Sequence, residues 1–149
     1  MNKYLFFILP AIIIILSNSC TVAGLEDSLT GKWKITEMTI APDNYSSKYT
    51  FDNYIWEIKG DDKYTKKGNY TYELTVDGVY NKYENSIDSS GIIQKSDFTN
   101  KTVTFVADTA QAVEIKMTYV LGYNTVTFKH EYESGGTTYT ETIKGEKVY

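Results

Sequence analysis

From Gly31 to Lys147 the chain alternates apolar and polar residues in short runs, and clusters of turn-forming residues separate the runs. A period of two places successive side chains on opposite faces of a strand, and no stretch keeps a helical period over three turns. The pattern predicts eight strands. The first covers about 31–40 and leads into a loop over 41–51 that contains Pro42-Asp43-Asn44. The second covers about 53–59 and turns at Gly60-Asp61-Asp62. The third covers 63–76, with a bend at Lys67-Gly68. Asp77-Gly78 is a two-residue hairpin signal that opens a fourth strand over 79–87. The segment 88–100 reads as a longer connection with a short extra strand at Ile92-Ile93. Further strands follow over 101–107, 112–121, 125–133 and 137–145, with turns at Gly122-Tyr123-Asn124 and Gly135-Gly136. Eight strands joined mostly by short hairpins form an up-and-down antiparallel meander, and closing it into a barrel removes the exposed edges.

Alternation also predicts which side chains face inward. Trp33 and Ile35 share a face, as do Tyr54, Trp56 and Ile58. Tyr70, Tyr72, Leu74 and Val76 form another inward set, followed by Val113, Ile115, Met117 and Tyr119, and then by Val126, Phe128, His130 and Tyr132. A hairpin centred on Gly135-Gly136 sets His130 opposite Glu141, which shares a face with Tyr139 and Ile143. Two readings of this pair stay open: a polar handle in a cavity wall, or a satisfied structural pair. The tyrosines, fourteen in the chain, are equally two-sided. Eight strands enclose an interior just wide enough either to be filled by side chains or to hold one small ligand.

Leu29-Thr30-Gly31-Lys32-Trp33 resembles the Gly-x-Trp opening of the lipocalins, and more closely the Leu-x-Gly-x-Trp start of bacterial lipocalin-like lipoproteins. The block from Trp56 to Tyr72 is similar to their second strand, acidic turn and aromatic strand. The ending from Gly135 to Lys147 is similar to their last hairpin. The resemblance implies a calycin-like barrel over 31–149, with Gly31 and Trp33 as structural motif residues. In lipocalins the motif Trp packs beneath an Arg from the end of the barrel. This chain contains fifteen Lys and no Arg, so Lys144 or Lys147 has to take that place.

The N-terminus carries an address. Lys3 precedes a twelve-residue apolar run, Leu5 to Leu16, and the small polar stretch Ser17-Asn18-Ser19 then leads to Cys20. The run is shorter than the roughly 20 residues a spanning helix needs, and it fits the h-region of a signal peptide. Cys20, the single cysteine of the chain, sits where a lipobox would place the lipidated residue of a bacterial lipoprotein. The expected organisation is therefore a signal peptide over 1–19, a lipidated cysteine with a short linker over 20–30, and the barrel domain. Thr21, rather than Asp, after the cysteine points to the outer membrane of a Gram-negative envelope.

Catalysis finds little support. His130 is the single histidine, and lipid consumes the single cysteine. No nucleophile elbow, phosphate-cradling loop or calcium loop is present, and no metal site or cofactor is expected. A net charge of −4 without a basic patch argues against nucleic acid. The sequence thus predicts a lipid-anchored, non-enzymatic binding protein with a small apolar or amphipathic ligand held in the barrel by Tyr54, Trp56, Tyr70, Tyr72, Phe128, His130 and Tyr132. The alternative is an interaction module with a filled barrel that meets a protein or glycan through its surface.

Overall fold

Eight antiparallel strands, each hydrogen-bonded to the next, close on themselves when the last pairs with the first. They are β1 (Gly31–Ala41), β2 (Lys48–Ile58), β3 (Lys63–Val76), β4 (Val79–Asp97), β5 (Thr102–Ala107), β6 (Glu114–Leu121), β7 (Thr125–Ser134) and β8 (Thr137–Val148). The computed structural model describes residues 29–43, 45–97 and 99–149. The expected signal peptide, Cys20 and most of the linker lie outside the described residues. All eight strands and the buried cluster among the described residues lie within 29–149, so residues 21–149 keep every described strand.

The meander expected from the alternation is present, with two differences of extent. β2 begins at Lys48, because Tyr49 and Phe51 continue the inward alternation through what reads as loop. β4 runs unbroken to Asp97: its first half pairs with β3, and from Gly91 onward it pairs with β5. The expected break at 88–100 is therefore a change of partner within one strand, not a separate strand at Ile92-Ile93. Val113, expected inside, is half-exposed before β6 begins, because the β5–β6 turn occupies 108–113. The bend at Lys67-Gly68 is real. Asp52 pairs with Asn69 and Ile55 with Lys67, so Asn53 and Tyr54 bulge from β2 opposite Gly68. A side chain at Gly68 would meet the backbone of Asn53 and Tyr54 at 2.3–2.6 Å, and its φ of 136° is open only to glycine.

One end of the barrel is sealed. Leu29 is buried beneath β1, and its carbonyl accepts a 2.9 Å hydrogen bond from the indole Nε1 of Trp33. Lys147 pairs with Trp33 across β1 and β8 and holds its ammonium 5.4 Å from the Trp33 ring centre. Of the two lysines expected as candidates, Lys147 covers the tryptophan, while Lys144 lies outside in an ion pair with Glu37 at 2.8 Å. Above this seal, Ile35, Trp56, Ile58, Tyr64, Val103, Phe105, Met117, Tyr119, Val126, Phe128 and Ile143 fill the interior. Trp56, Phe105 and Phe128 meet with ring centres 5.4–6.0 Å apart, mixing tilted and edge-on contacts. This packed half is the core.

Strand lengths make the other half different. β5 and β6 are short, and β6 pairs with β7 only from Thr118 to Leu121. Above that level the long strands β1, β2, β3, β4, β7 and β8 continue. Among the described residues, the edge of β4 up to Ser89 and the edge of β7 above Lys129 have no partner strand on that side. The upper half is consequently a cup with a notch in its wall above the β5–β6 turn. The β1–β2 connection, the Asp77-Gly78 hairpin and the Gly135-Gly136 hairpin share its rim, as the order of strands predicts.

Candidate ligand-binding cup

The inward positions change character at the level of Trp56. Below it they are almost wholly apolar and buried. Above it they carry Tyr49, Lys66, Tyr70, Tyr72, Asn85, Ser89, His130, Tyr132, Tyr139 and Glu141, all partly exposed. Strand pairing fixes this layer. Lys66 lies between Trp56 on β2 and Ser89 on β4, and Glu141 lies between Ile40 on β1 and His130 on β7.

Two walls of stacked rings rise from the floor. On β2 and β3, Tyr49 stacks on Tyr72 at 4.7 Å, and Phe51, Tyr54 and Tyr70 continue the array at 5.8–6.4 Å. On β7 and β8, Tyr132 stacks on Tyr139 at 5.5 Å and on His130 at 5.6 Å. The walls meet around a cavity of about 220 Å³ at the rim, lined by Tyr72, Tyr132, Tyr139, Ile40, Ser47 and the loop residues Pro42, Asp43 and Tyr45. The loop is a structured cover. Asp43 accepts hydrogen bonds from the backbone N–H groups of Tyr45 and Ser47, and the Tyr45 carbonyl accepts one from the Thr75 N–H. Desolvation raises the Asp43 carboxyl, but the hydrogen bonds from Tyr45, Ser46 and Ser47 together outweigh it and hold the group below the usual carboxylate range.

The charged groups of the cup are enclosed without direct partners. The Lys66 ammonium stands 3.8 Å above the Trp56 ring centre and 5.3–5.5 Å from those of Phe105 and Tyr64. Among the described residues it makes no hydrogen bond and no ion pair within 4.0 Å. Burial pulls its pKa down to about 8, although the charge of Glu141 opposes that shift. Burial likewise pushes the Glu141 carboxyl upward, resisted by His130 and Lys66. The Tyr54 hydroxyl is pushed up to about 12, and that of Tyr49 rises further, again mainly by burial. Trp56 Nε1 is a buried donor without a hydrogen-bond partner. It influences the nearby Tyr54 hydroxyl, but their geometry falls short of a bond. His130 Nδ1 lies 3.0 Å from the Lys116 carbonyl, at a level where β6 has separated from β7.

The residues expected to bind a ligand therefore divide into two groups. Tyr72 and Tyr132 line the rim cavity, and Tyr70 and His130 are partly exposed members of the same two ring arrays. Tyr54 and Phe128 are buried in the packed interior, and Trp56 forms the boundary between the halves. The pairing of His130 with Glu141 stands as the hairpin register predicts. Lys66 escapes the sequence reading although its signal is present, since counting back in twos from Tyr72 through Gly68 reaches Lys66 and Tyr64. Tyr49 escapes because it lies in what reads as loop. Among the described residues, no cluster of three His, Cys, Asp or Glu has the spacing to hold a metal ion. No family model, curated protein or solved structure matches this chain, and its function rests on the geometry of the cup.

Proposed function

We propose that this protein is a binding protein of the cell envelope that holds a small apolar or amphipathic molecule in the open half of its barrel. The observation that carries the reading is the split interior. One half is packed to exclusion of solvent, and the other is walled by stacked tyrosines around partly exposed polar groups, of which Lys66 and Glu141 make no hydrogen bond or ion pair among the described residues. A barrel whose sole task is to be stable gains from filling its upper half with aliphatic side chains, and leaving charges unpartnered there costs stability. The opening at Gly31 and Trp33, with Lys147 over the indole, supports a lipocalin-like barrel for the same role. The Cys20 signal supports tethering by lipid to the outer membrane, with no catalytic role, cofactor or nucleic-acid partner.

Ligand occupancy raises stability by mass action, about 2.7 kcal/mol at a hundredfold excess over the dissociation constant. A thermal-shift screen of fatty acids, isoprenoids and flat aromatic compounds on residues 21–149 tests the reading. At least one class should raise the melting temperature, and substitution of Tyr72 or Tyr132 should weaken that effect. Failure of every class, with Tyr72→Ala as costly as a core truncation, would leave a filled barrel that acts through its surface.

A further inference from the structure

We propose that the cup selects ligands that are organic anions with an apolar body: the Lys66 ammonium receives the oxygens of the anionic head, and the tyrosine walls enclose the body. The inference rests on the binding reading above and adds to it the chemical class of the ligand.

Lys66 supplies the first argument. Its ammonium carries three donors, sits on the floor among Trp56, Tyr64 and Phe105, and has no oxygen to bond among the described residues. Ring faces stabilise a cation but accept hydrogen bonds poorly, so the donors are left for whatever enters. An ammonium without an acceptor calls for an oxygen-rich head, and a carboxylate or sulfonate presents several lone pairs on one atom group. The walls supply the second, because rows of aromatic rings on β2 and β3 and on β7 and β8 offer an apolar lining to the body of the ligand.

Glu141 sets the sign of the remaining electrostatics. Its carboxyl lies within electrostatic reach of Lys66 but makes no ion pair with it. An entering anion therefore meets a like charge, and the approach of that charge favours the protonated form of Glu141, which burial already favours. Replacing the carboxylate by an amide removes the repulsion and keeps the shape. The other titratable groups of the chamber are His130 on β7, Tyr49 and Tyr54 on β2, Tyr64, Tyr70 and Tyr72 on β3, and Tyr132 and Tyr139 on β7 and β8.

A matched pair of fluorescent probes tests the proposal on residues 21–149. Anilinonaphthalene sulfonate carries the anion, and N-phenylnaphthylamine has the same rings without it. The wild type should bind the sulfonate roughly tenfold more tightly than the neutral amine. Lys66→Met should erase that preference by weakening the sulfonate alone, Lys67→Met on the outer face should leave it intact, and Glu141→Gln should strengthen the sulfonate. With the unmodified protein, sulfonate affinity should fall as pH rises from 7 to 9.5 while amine affinity stays level, an arm that holds even where Lys66→Met does not fold. Equal binding of both probes, or a Lys66→Met variant that keeps the preference, overturns the anion assignment and leaves the cup standing. Absence of binding by either probe overturns the cup itself, and with it this inference.

Discussion

Truncating one ring in each half of the barrel should give very different costs. Phe128 is fully buried and touches the rings of Trp56, Phe105 and Tyr119, with centres 5.4–6.5 Å away. Phe128→Ala leaves a cavity among side chains that cannot relax into it, for a loss of about 3–5 kcal/mol. Tyr72 lines the cup, and its ring already borders open space on one side. Tyr72→Ala forfeits its stacking on Tyr49 and Tyr83, about 0.5–1.5 kcal/mol, and part of its area burial, for a total of about 1–2 kcal/mol. Urea unfolding at a common m-value measures both, and the difference should be about 1–4 kcal/mol. Phe128→Leu serves where the alanine variant does not accumulate, with an expected loss of about 1–2 kcal/mol. Tyr72→Ala as costly as Phe128→Ala would refute the division of the interior, because the upper ring would then be core.

Three further outcomes are expected, two from the same geometry and one from the sequence. Lys66 has a folded pKa near 8 against about 10.4 in the unfolded chain, so the native state binds fewer protons between those values and stability rises with pH across that window. Lys66→Met should flatten the rise and stabilise the protein at pH 7 by about 1–3 kcal/mol; above pH 10 stability should fall, because Tyr54 resists ionisation up to about 12. Gly68→Ala should destabilise by more than about 1 kcal/mol, where the same change at an unstrained glycine would stabilise, since the new Cβ meets the β2 bulge at 2.3–2.6 Å; a near-neutral melt would contradict the close approach. Cys20→Ala should release the protein from membranes without loss of the fold, and a variant that still pellets after salt extraction would end the lipid-anchor reading.

Much of this fold is legible because one physical rule governs it. A strand with one wet face must alternate, and the two-residue turns at Asp77-Gly78 and Gly135-Gly136 leave little freedom of register, which is why His130 and Glu141 are found opposite each other. The rule fails where alternation is present but turn-like residues mask it. Tyr49 and Phe51 lie beside Asp52-Asn53, so the start of β2 reads as loop, although those polar residues serve a bulge. It fails again at β4, where Asp88-Ser89-Ser90-Gly91 looks like a break. Gly91 is there because the Val106 carbonyl and the Tyr64 ring leave no room for a Cβ, which a turn signal does not distinguish. The site is less legible than the fold. Inward alternation lists Trp56, Phe128 and Tyr72 alike, and only the short lengths of β5 and β6 decide which of them faces a cup. A lysine on that list is easily assigned to solvent by its type, yet Lys66 faces inward by its position.

The central claim is that the space above Trp56 admits a ligand while the space below does not. Backbone amide shifts of isotope-labelled residues 21–149, followed during titration with anilinonaphthalene sulfonate, test it most directly. The account predicts saturable shifts at Tyr49, Lys66, Tyr72, Tyr132 and Glu141, with Val103, Met117 and Val126 unmoved. Shifts confined to the outer faces of the strands, or spread evenly through the packed half, would contradict it.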